Sequence, residues 1–312
     1  MKIEPSVFFV SLFAAGCGGL VNSGSDESSA ALGAPIVLAA NQDQPGPITV
    51  DDSYVYFADY GDDAGHGSIR RVKKTGGAVT ILAANESVPG SLVVDGARVY
   101  WTSNDGQRQS AGAVRAVAKA GGQPVSLAWG LSSARALVAD AYTLYFATDD
   151  AIVALSKSGG LPLPLAAARC VNTAAQDSTT VYWTENCVLV PPQGVFAVNK
   201  LGGLAVKISN DSTGGIVADG ANVYWIADGL VKRQPRFGGL PVTIYDTGNY
   251  GVLEAMDAGS LYLQLNDGIT RVNKSTGAAT TVWSGFAVNG IAVDTTSVYF
   301  DGTTGNVYRL VR

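Results

Sequence analysis

The sequence predicts an all-β protein: a seven-bladed β-propeller of four-stranded antiparallel blades, its ring closed by an N-terminal strand completing the last blade. Three observations predict it. A motif recurs seven times, each copy carries the same strand and turn pattern, and the two ends of the repeated region overlap. The motif is Asp-x-x-x-x-Tyr, at Asp51/Tyr56, Asp95/Tyr100, Asp140/Tyr145, Asp177/Tyr182, Asp219/Tyr224, Asp257/Tyr262 and Asp294/Tyr299. Successive aspartates are 44, 45, 37, 42, 38 and 37 residues apart. A fixed core recurring about every 40 residues suits a four-stranded blade.

The first residues read as an export signal rather than as part of the fold. Lys2 precedes a nine-residue run from Val7 to Ala15, largely apolar, and then Gly16-Cys17, the layout of a secretory signal peptide over residues 1–16. Ala14-Ala15-Gly16-Cys17 resembles a bacterial lipobox, which implies that Cys17 is lipidated and becomes the first mature residue. Residues 17–33 are small and polar, too poor in large apolar groups to form a core, and are expected to be a flexible tether. The propeller is expected to occupy residues 34–312.

Blade 2 sets the pattern. Ser91 to Asp95 reads as the first strand and Arg98 to Thr102 as the second. Gly112 to Ala118 reads as the third and Pro124 to Ala128 as the fourth. These are short apolar runs rich in Val and aromatics and bounded by Gly and Asp turns. The first two strands alternate poorly because a blade is covered on both faces by its neighbours. At the ends, Leu38-Ala39-Ala40-Asn41 and Pro45-Gly46 repeat Leu82-Ala83-Ala84-Asn85 and Pro89-Gly90. Ile36 to Ala40 is therefore a fourth strand with no blade before it. The chain ends at Arg312, where the turn into the seventh blade's fourth strand would begin. The early strand supplies what the last blade lacks, leaving no open sheet edge.

Tyr100-Trp101-Thr102 and Tyr182-Trp183-Thr184 resemble the YWT of YWTD-type propellers, and the repeat over residues 34–312 is similar to YWTD and NHL-like extracellular propellers. It also resembles repeat lipoproteins of bacteria. YWTD propellers have six blades, and the closing Asp of their motif is Ser103 or Glu185 here; blade 1 keeps Asp59. The resemblance implies a fold and names no particular partner.

Residues present in every copy are expected to serve the blade itself. The repeated Asp ends a strand at a turn, where its carboxylate can accept backbone N–H groups. The Tyr and the large residue after it are expected to anchor blade to blade. Lys74, Lys119, Lys157, Lys200, Arg236, Lys274 and Arg312 occupy one repeated position before a turn. They are expected to be solvated turn residues, although a ring of cations could also attract an anion.

Residues that differ between copies fall mainly in the second-to-third strand loops and the interblade connections, all on one face. That face is expected to carry recognition. Blade 1 contributes Asp59, Tyr60, Asp62, Asp63 and His66, blade 2 Asn104, Asp105 and Arg108, blade 4 Glu185, and the connection into blade 6 Tyr250. Cys170 and Cys187 fall on the same face, and a disulfide between them would staple a long loop. Trp129 and Phe286 are expected to plug gaps between blades. A metal at His66 with the blade 1 acids is not expected, because the acid spacing lacks the EF-hand pattern.

With one histidine there is no HExxH motif and no three-histidine zinc site, and no G-x-S-x-G elbow occurs. No catalytic residue and no cofactor is expected. Net charge is −5, the basic residues are scattered and no run of eighteen apolar residues exists. Nucleic acid and a transmembrane helix are therefore not expected. The expectation is a monomeric, lipid-anchored envelope scaffold that binds a protein or glycan without catalysis. The alternative is a propeller hydrolase or lyase with calcium in the central channel. There the innermost strands present Ile48, Leu92, Leu137, Ile216, Leu253 and Ile291, with Glu254 and Asn289 as polar exceptions.

Overall fold

The structure, a computed structural model, describes residues 33–61, 66–104, 112–187, 193–211, 213–266 and 268–312. Cys17, Asp62, Asp63, Asp105 and Arg108 lie outside the described residues. The described residues form 28 strands in seven four-stranded antiparallel sheets, with no helix among them. Six blades are consecutive in sequence; the seventh combines Val288–Val293, Ser297–Gly302 and Val307–Val311 with Ile36–Ala39 as its outermost strand. Ile36 pairs with Arg309 and Ala39 with Val307, so both ends of the ring share one sheet. The Gln42 N–H donates to Gly305 O at 2.7 Å and completes the join. The first strands of the blades neighbour one another in order round the ring, blade 7 meeting blade 1, and they line the central channel.

In blade 2 the first strand begins earlier than expected, at Pro89, because Pro89 still pairs with Ser103 beyond a bulge. The fourth runs from Val125 to Leu131, since Leu131 pairs with Gly112.

The core lies between blades. Tyr56, Ile69 and Leu82 of blade 1 pack against Leu92, Val99 and Trp101 of blade 2, and the other blades repeat the pattern. Trp101, Trp183 and Trp225 are fully buried. A ring burying 150–250 Å² contributes about 4 to 6 kcal/mol of transfer free energy at ~25 cal/mol per Å².

On the turn face the repeated residues form one device seven times. Asp95 Oδ1 accepts the Ala97 and Arg98 N–H groups, both at 2.9 Å, and Oδ2 accepts the Tyr100 hydroxyl at 3.0 Å. The cation that meets Asp95 comes from the next blade: Lys157 Nζ lies 2.8 Å from Oδ2 and 5.2 Å from the Tyr100 ring centroid. The same step joins Lys119 to Asp51, Lys200 to Asp140, Arg236 to Asp177, Lys274 to Asp219, Arg312 to Asp257 and Lys74 to Asp294. The Lys74–Asp294 pair crosses the join between blades 1 and 7. The repeated cations are thus interblade clasps rather than solvated turn residues. One strand's geometry hides the reason, because the partner sits one full repeat away. Burial alone would raise Asp51, but the Lys119 ammonium, the Ser53 and Tyr54 N–H groups and the Tyr56 hydroxyl outweigh it and hold it at about 2.

Candidate functional site

The opposite face carries what differs between blades. The Cys170–Cys187 disulfide is present, with Cα atoms 5.3 Å apart, and ties the connection into blade 4 to the loop leaving its second strand. It points to an oxidising compartment.

Several residues expected to face a partner are instead fasteners. Asp59 is fully buried; it accepts the Asp43, Gln44 and Gly61 N–H groups and pairs with Arg70 at 3.0 Å. Glu185 is buried and accepts the Arg169 N–H at 3.1 Å and the Trp183 indole at 2.9 Å. Glu86 and Asp211 serve the Trp101 and Trp225 indoles in the same way. A buried indole N–H needs an acceptor, and these acids supply it. Asn104 clamps the Ala134 backbone through both ends of its amide, at 2.7 and 2.8 Å. Asp59 and Glu185 are therefore removed from the recognition surface, and Asn104 is committed to backbone. Tyr60 lies half-buried against Gly46, where a Cβ would come within 2.5 Å of its ring. His66 is exposed. Trp129 is also exposed, at 76%, and plugs no gap, whereas Phe286 packs against Trp283, Phe300 and Tyr308 as a plug does.

Tyr250 stands apart from these. It is 90% exposed and lines a cavity of about 400 Å³ with four amide-bearing residues of blades 4 and 6, Asn172, Asn186, Gln264 and Asn266, and with the apolar Ile226 and Val252. Asp228 supplies a carboxylate and Gly229 and Gly251 bring backbone to the wall. Gln264 also lines a second cavity of about 610 Å³ with Gln44, Tyr60, Asn289 and Thr303, over blades 7 and 1. The two hollows thus meet at one amide.

Beside the second hollow lie two carboxyls that no other blade repeats. In the aligned blades the position of Asp301 is Ala58, Thr102, Ala147, Thr184, Ile226 or Gln264. Asp301 is fully buried, and neither carboxyl oxygen makes a hydrogen bond of ordinary geometry, although the Asn289 amide and the Gly290 N–H lie near enough to favour its charged form. Its Oδ1 would lie 3.0 Å from a Cβ on Gly290, so glycine there leaves it room. Burial, with the negative charge of Glu254 adding to it, pushes Asp301 up to about 8, the Asn289 amide offsetting part of this. Glu254 rises to about 7 through burial. Tyr60 is raised by burial and by the Asp301 charge, which ties it to the same group.

Bulges set these residues on the channel wall. In blade 6 the register steps between Leu253 and Ala255, and in blade 7 between Val288 and Gly290, so Glu254 and Asn289 are the extra residues. Blades 1 to 5 place the step earlier than blade 6, over Gly46-Pro47 or Gly90-Ser91 for example; blade 7 keeps that place, with Asn289 where blades 1 and 2 have Gly46 and Gly90. A bulge re-aims one side chain without shifting the rest of the strand. Among the described residues no three His, Cys, Asp or Glu side chains gather as a metal-binding group.

No family model and no curated protein matches the sequence. Solved structures do match in fold. A catalytically inactive virginiamycin B lyase from Staphylococcus aureus, solved with quinupristin, superposes with a TM-score of 0.70 at 14% identity, over 89% of this chain and 98% of that one. The WD40 β-propeller domain of Doa1 gives 0.67 at 13% identity, over 90% and 96%. PorZ, a bacterial surface component of the type-IX secretion system of Porphyromonas gingivalis, gives 0.68 at 14%, over 88% of this chain and 37% of PorZ. Likeness at this identity establishes the seven-bladed propeller and nothing further.

Proposed function

We propose that the protein is an exported, lipid-anchored scaffold of the cell envelope that binds a glycan on its loop face without catalysis. The observation that carries this reading is the cavity under Tyr250. It joins one exposed aromatic ring to four amide-bearing residues and holds few charges. Amides both donate and accept, which suits hydroxyl groups, and an exposed ring offers a sugar's C–H face a flat apolar contact. Export is supported by the disulfide and by the leader expected over residues 1–16, and anchoring by the lipobox resemblance at Cys17. Asp62, Asp63, Asp105 and Arg108 belong by sequence to loops on the same face and are proposed to extend it. Proteins similar in fold include binding partners and surface components, a nidogen from a nidogen/laminin complex and PorZ among them.

The test is calorimetric titration of residues 33–312 with oligosaccharides released from the producing cell's own envelope. Saturable binding is expected, weakened about tenfold or more in Tyr250→Ala and in Asn266→Ala. Binding that both variants leave unchanged would place the ligand elsewhere and remove this reading.

A second reading, a hydrolase or lyase with calcium in the channel, draws on Glu254 and Asp301. Two carboxyls and the Asn289 oxygen are hard donors, though fewer than the six to eight oxygens calcium prefers. Stoichiometric calcium after exposure to calcium and gel filtration, lost in Asp301→Asn, would favour it over the scaffold.

A further inference from the structure

The turn face differs in one respect from the repeated device that covers it. In blades 3, 4 and 5 the turn before the fourth strand reads Gly-Gly-Leu, placing Leu161, Leu204 and Leu240 at one repeated position. Blades 1, 2 and 6 have Ala78, Gln123 and Ala278 there. The residue after the clasp cation is also large and apolar in blades 4 and 5, as Leu201 and Phe237, where blades 1, 2 and 3 have Thr75, Ala120 and Ser158. With Tyr142 on a neighbouring turn of blade 3, these six side chains are between 82% and 96% exposed. Paired glycines with positive φ, 85° and 130° at Gly202 and Gly203, throw each tip outward. The turn of blade 4 meets the outer strand of blade 3, where a Cβ on Gly202 would lie 4.0 Å from Leu165. Large exposed apolar side chains gathered on one face of three successive blades mark an interaction site.

Three features identify the occupant. The leucine and phenylalanine tips are separate prongs on successive turns, and the hollow of about 580 Å³ on this face, beside Tyr142, is lined largely by polar residues, Gln176, Asp177, Ser178 and Lys200 among them, so it is no apolar groove for a partner's side chains. The adjacent cations Lys157, Lys200 and Arg236 are each paired with an aspartate, so the strip carries no bare charge that apolar contact would strip of water. The described chain begins at Gly33, beside Ile36, which pairs with Arg309 near the turn-face end of the last blade. The 16 residues from Gly18 to Gly33 therefore join that same face to Cys17, with a reach of at most ~55 Å.

We propose that the tips of blades 3 to 5 form a membrane-docking surface: they enter the interfacial layer of the bilayer that holds the lipid on Cys17, and so turn the loop face outward. The orientation rests on the anchored reading above, while the affinity of the tips for lipid does not. A lipid on Cys17 holds the chain at one point through a tether and leaves the ring free to turn, so a second apolar contact is what would set its orientation. Leucine and aromatic tips suit the headgroup boundary.

The test uses residues 33–312, which contain all 28 strands and every blade and lack Cys17. Flotation with vesicles of phosphatidylethanolamine and phosphatidylglycerol compares this chain with Leu201→Ser/Leu204→Ser/Phe237→Ser/Leu240→Ser and with Tyr250→Ser on the loop face. The parent and Tyr250→Ser are expected to float alike, and the fourfold variant about tenfold less, with melting unchanged because all four side chains are exposed. No flotation of the parent, or equal flotation of the fourfold variant, overturns the proposal. So does a concentration-dependent dimer of the parent that the fourfold variant abolishes, since the strip would then meet a second copy. Palmitate labelling of the full chain in cells, read separately, reports on the anchor alone. Flotation without labelling would leave the surface standing and remove the lipidation of Cys17.

Discussion

The two faces of the ring divide structure from recognition, though not in the way charge alone suggests. The turn face repeats one acid and one cation seven times, and each is spent on its neighbour: Asp to backbone and Tyr within the blade, cation to the Asp of the blade before. The loop face carries fewer repeated groups, and its acids divide. Asp59, Glu86, Glu185 and Asp211 are consumed in holding loops and indoles. Glu254 and Asp301 have no such employment, and Asp301 lies fully buried with no well-formed hydrogen bond to either oxygen. Seven internal copies act as controls on one another. A group that recurs answers the needs of the blade, and a group that stands alone must be explained by its own surroundings.

The largest expected effect tests that contrast through pH. Glu254, at about 7, and Asp301, at about 8, lie above their unfolded values near 4. A raised folded pKa favours the protonated native state. Its stabilisation is present below pH 4 and is lost as pH rises through 7 and 8. The turn-face acids work in the opposite sense. Asp51 and Asp140, held at about 2, stabilise above pH 4 and lose that contribution as pH falls towards 2. Melting temperature is expected to fall from pH 5 to pH 9, by the equivalent of at most about 7 kcal/mol at the alkaline end, roughly two pH units from Glu254 and three from Asp301 at about 1.4 kcal/mol each. Glu254→Gln/Asp301→Asn should flatten that limb and leave the acid limb alone. An unchanged alkaline limb in the double variant would show that these carboxyls are charged already.

Next in size is the removal of one turn-face clasp. Asp177 has the most enclosed side chain of the seven aspartates in these pairs, and it holds the Thr179 and Thr180 N–H groups, the Tyr182 hydroxyl and Arg236. Asp177→Ala strands all of them and is expected to cost about 3 kcal/mol by urea unfolding at pH 7. A cost below about 1 kcal/mol would mean that the ring of pairs is decorative. Separately, replacing Cys170 and Cys187 by serine releases a loop closed at a sequence separation of 17, a loss of about 3 kcal/mol in the chain-entropy model. Equal stability of oxidised and reduced protein would contradict it.

The sequence carried the fold well because the fold is written seven times. The Asp-x-x-x-x-Tyr spacing, the overlap of Leu38-Ala39-Ala40-Asn41 with Leu82-Ala83-Ala84-Asn85, and the closing strand all appear in the structure. The pairing of Lys157 with Asp95 did not, because it joins residues 62 apart through a ring contact that no local pattern encodes. The loop face was read from exposure rules, which place acids outward. Asp59 and Glu185 are buried because backbone N–H groups and an indole there need acceptors. Glu254 and Asn289 were visible as polar breaks in an apolar column, yet Asp301 was missed. The signal was available, since Ala58, Thr102, Ala147 and Thr184 hold the same position in other blades. Tyr250 was legible as an exposed aromatic, whereas Asn172, Gln264 and Asn266, from three separate strands and turns, meet it only in space.

Two tyrosines make the finest comparison between the faces. Tyr182 belongs to the repeated set, buried between blades with its hydroxyl donating to Asp177 at 2.8 Å. Tyr250 stands on the loop face, exposed beside the amide-lined hollow. Tyr182→Phe removes one hydrogen bond and keeps the packing, so it should cost about 1 kcal/mol of stability and leave oligosaccharide affinity unchanged. Tyr250→Ala removes no buried contact, so stability should stay within about 0.5 kcal/mol, while affinity falls about tenfold, or about 1.4 kcal/mol. Unfolding and titration on the same two variants should therefore cross over. If Tyr250→Ala lost stability and kept affinity, the ring would be a structural plug like Phe286, and the ligand would have to be sought over blades 7 and 1, where Tyr60, Gln264 and Asn289 line the other hollow.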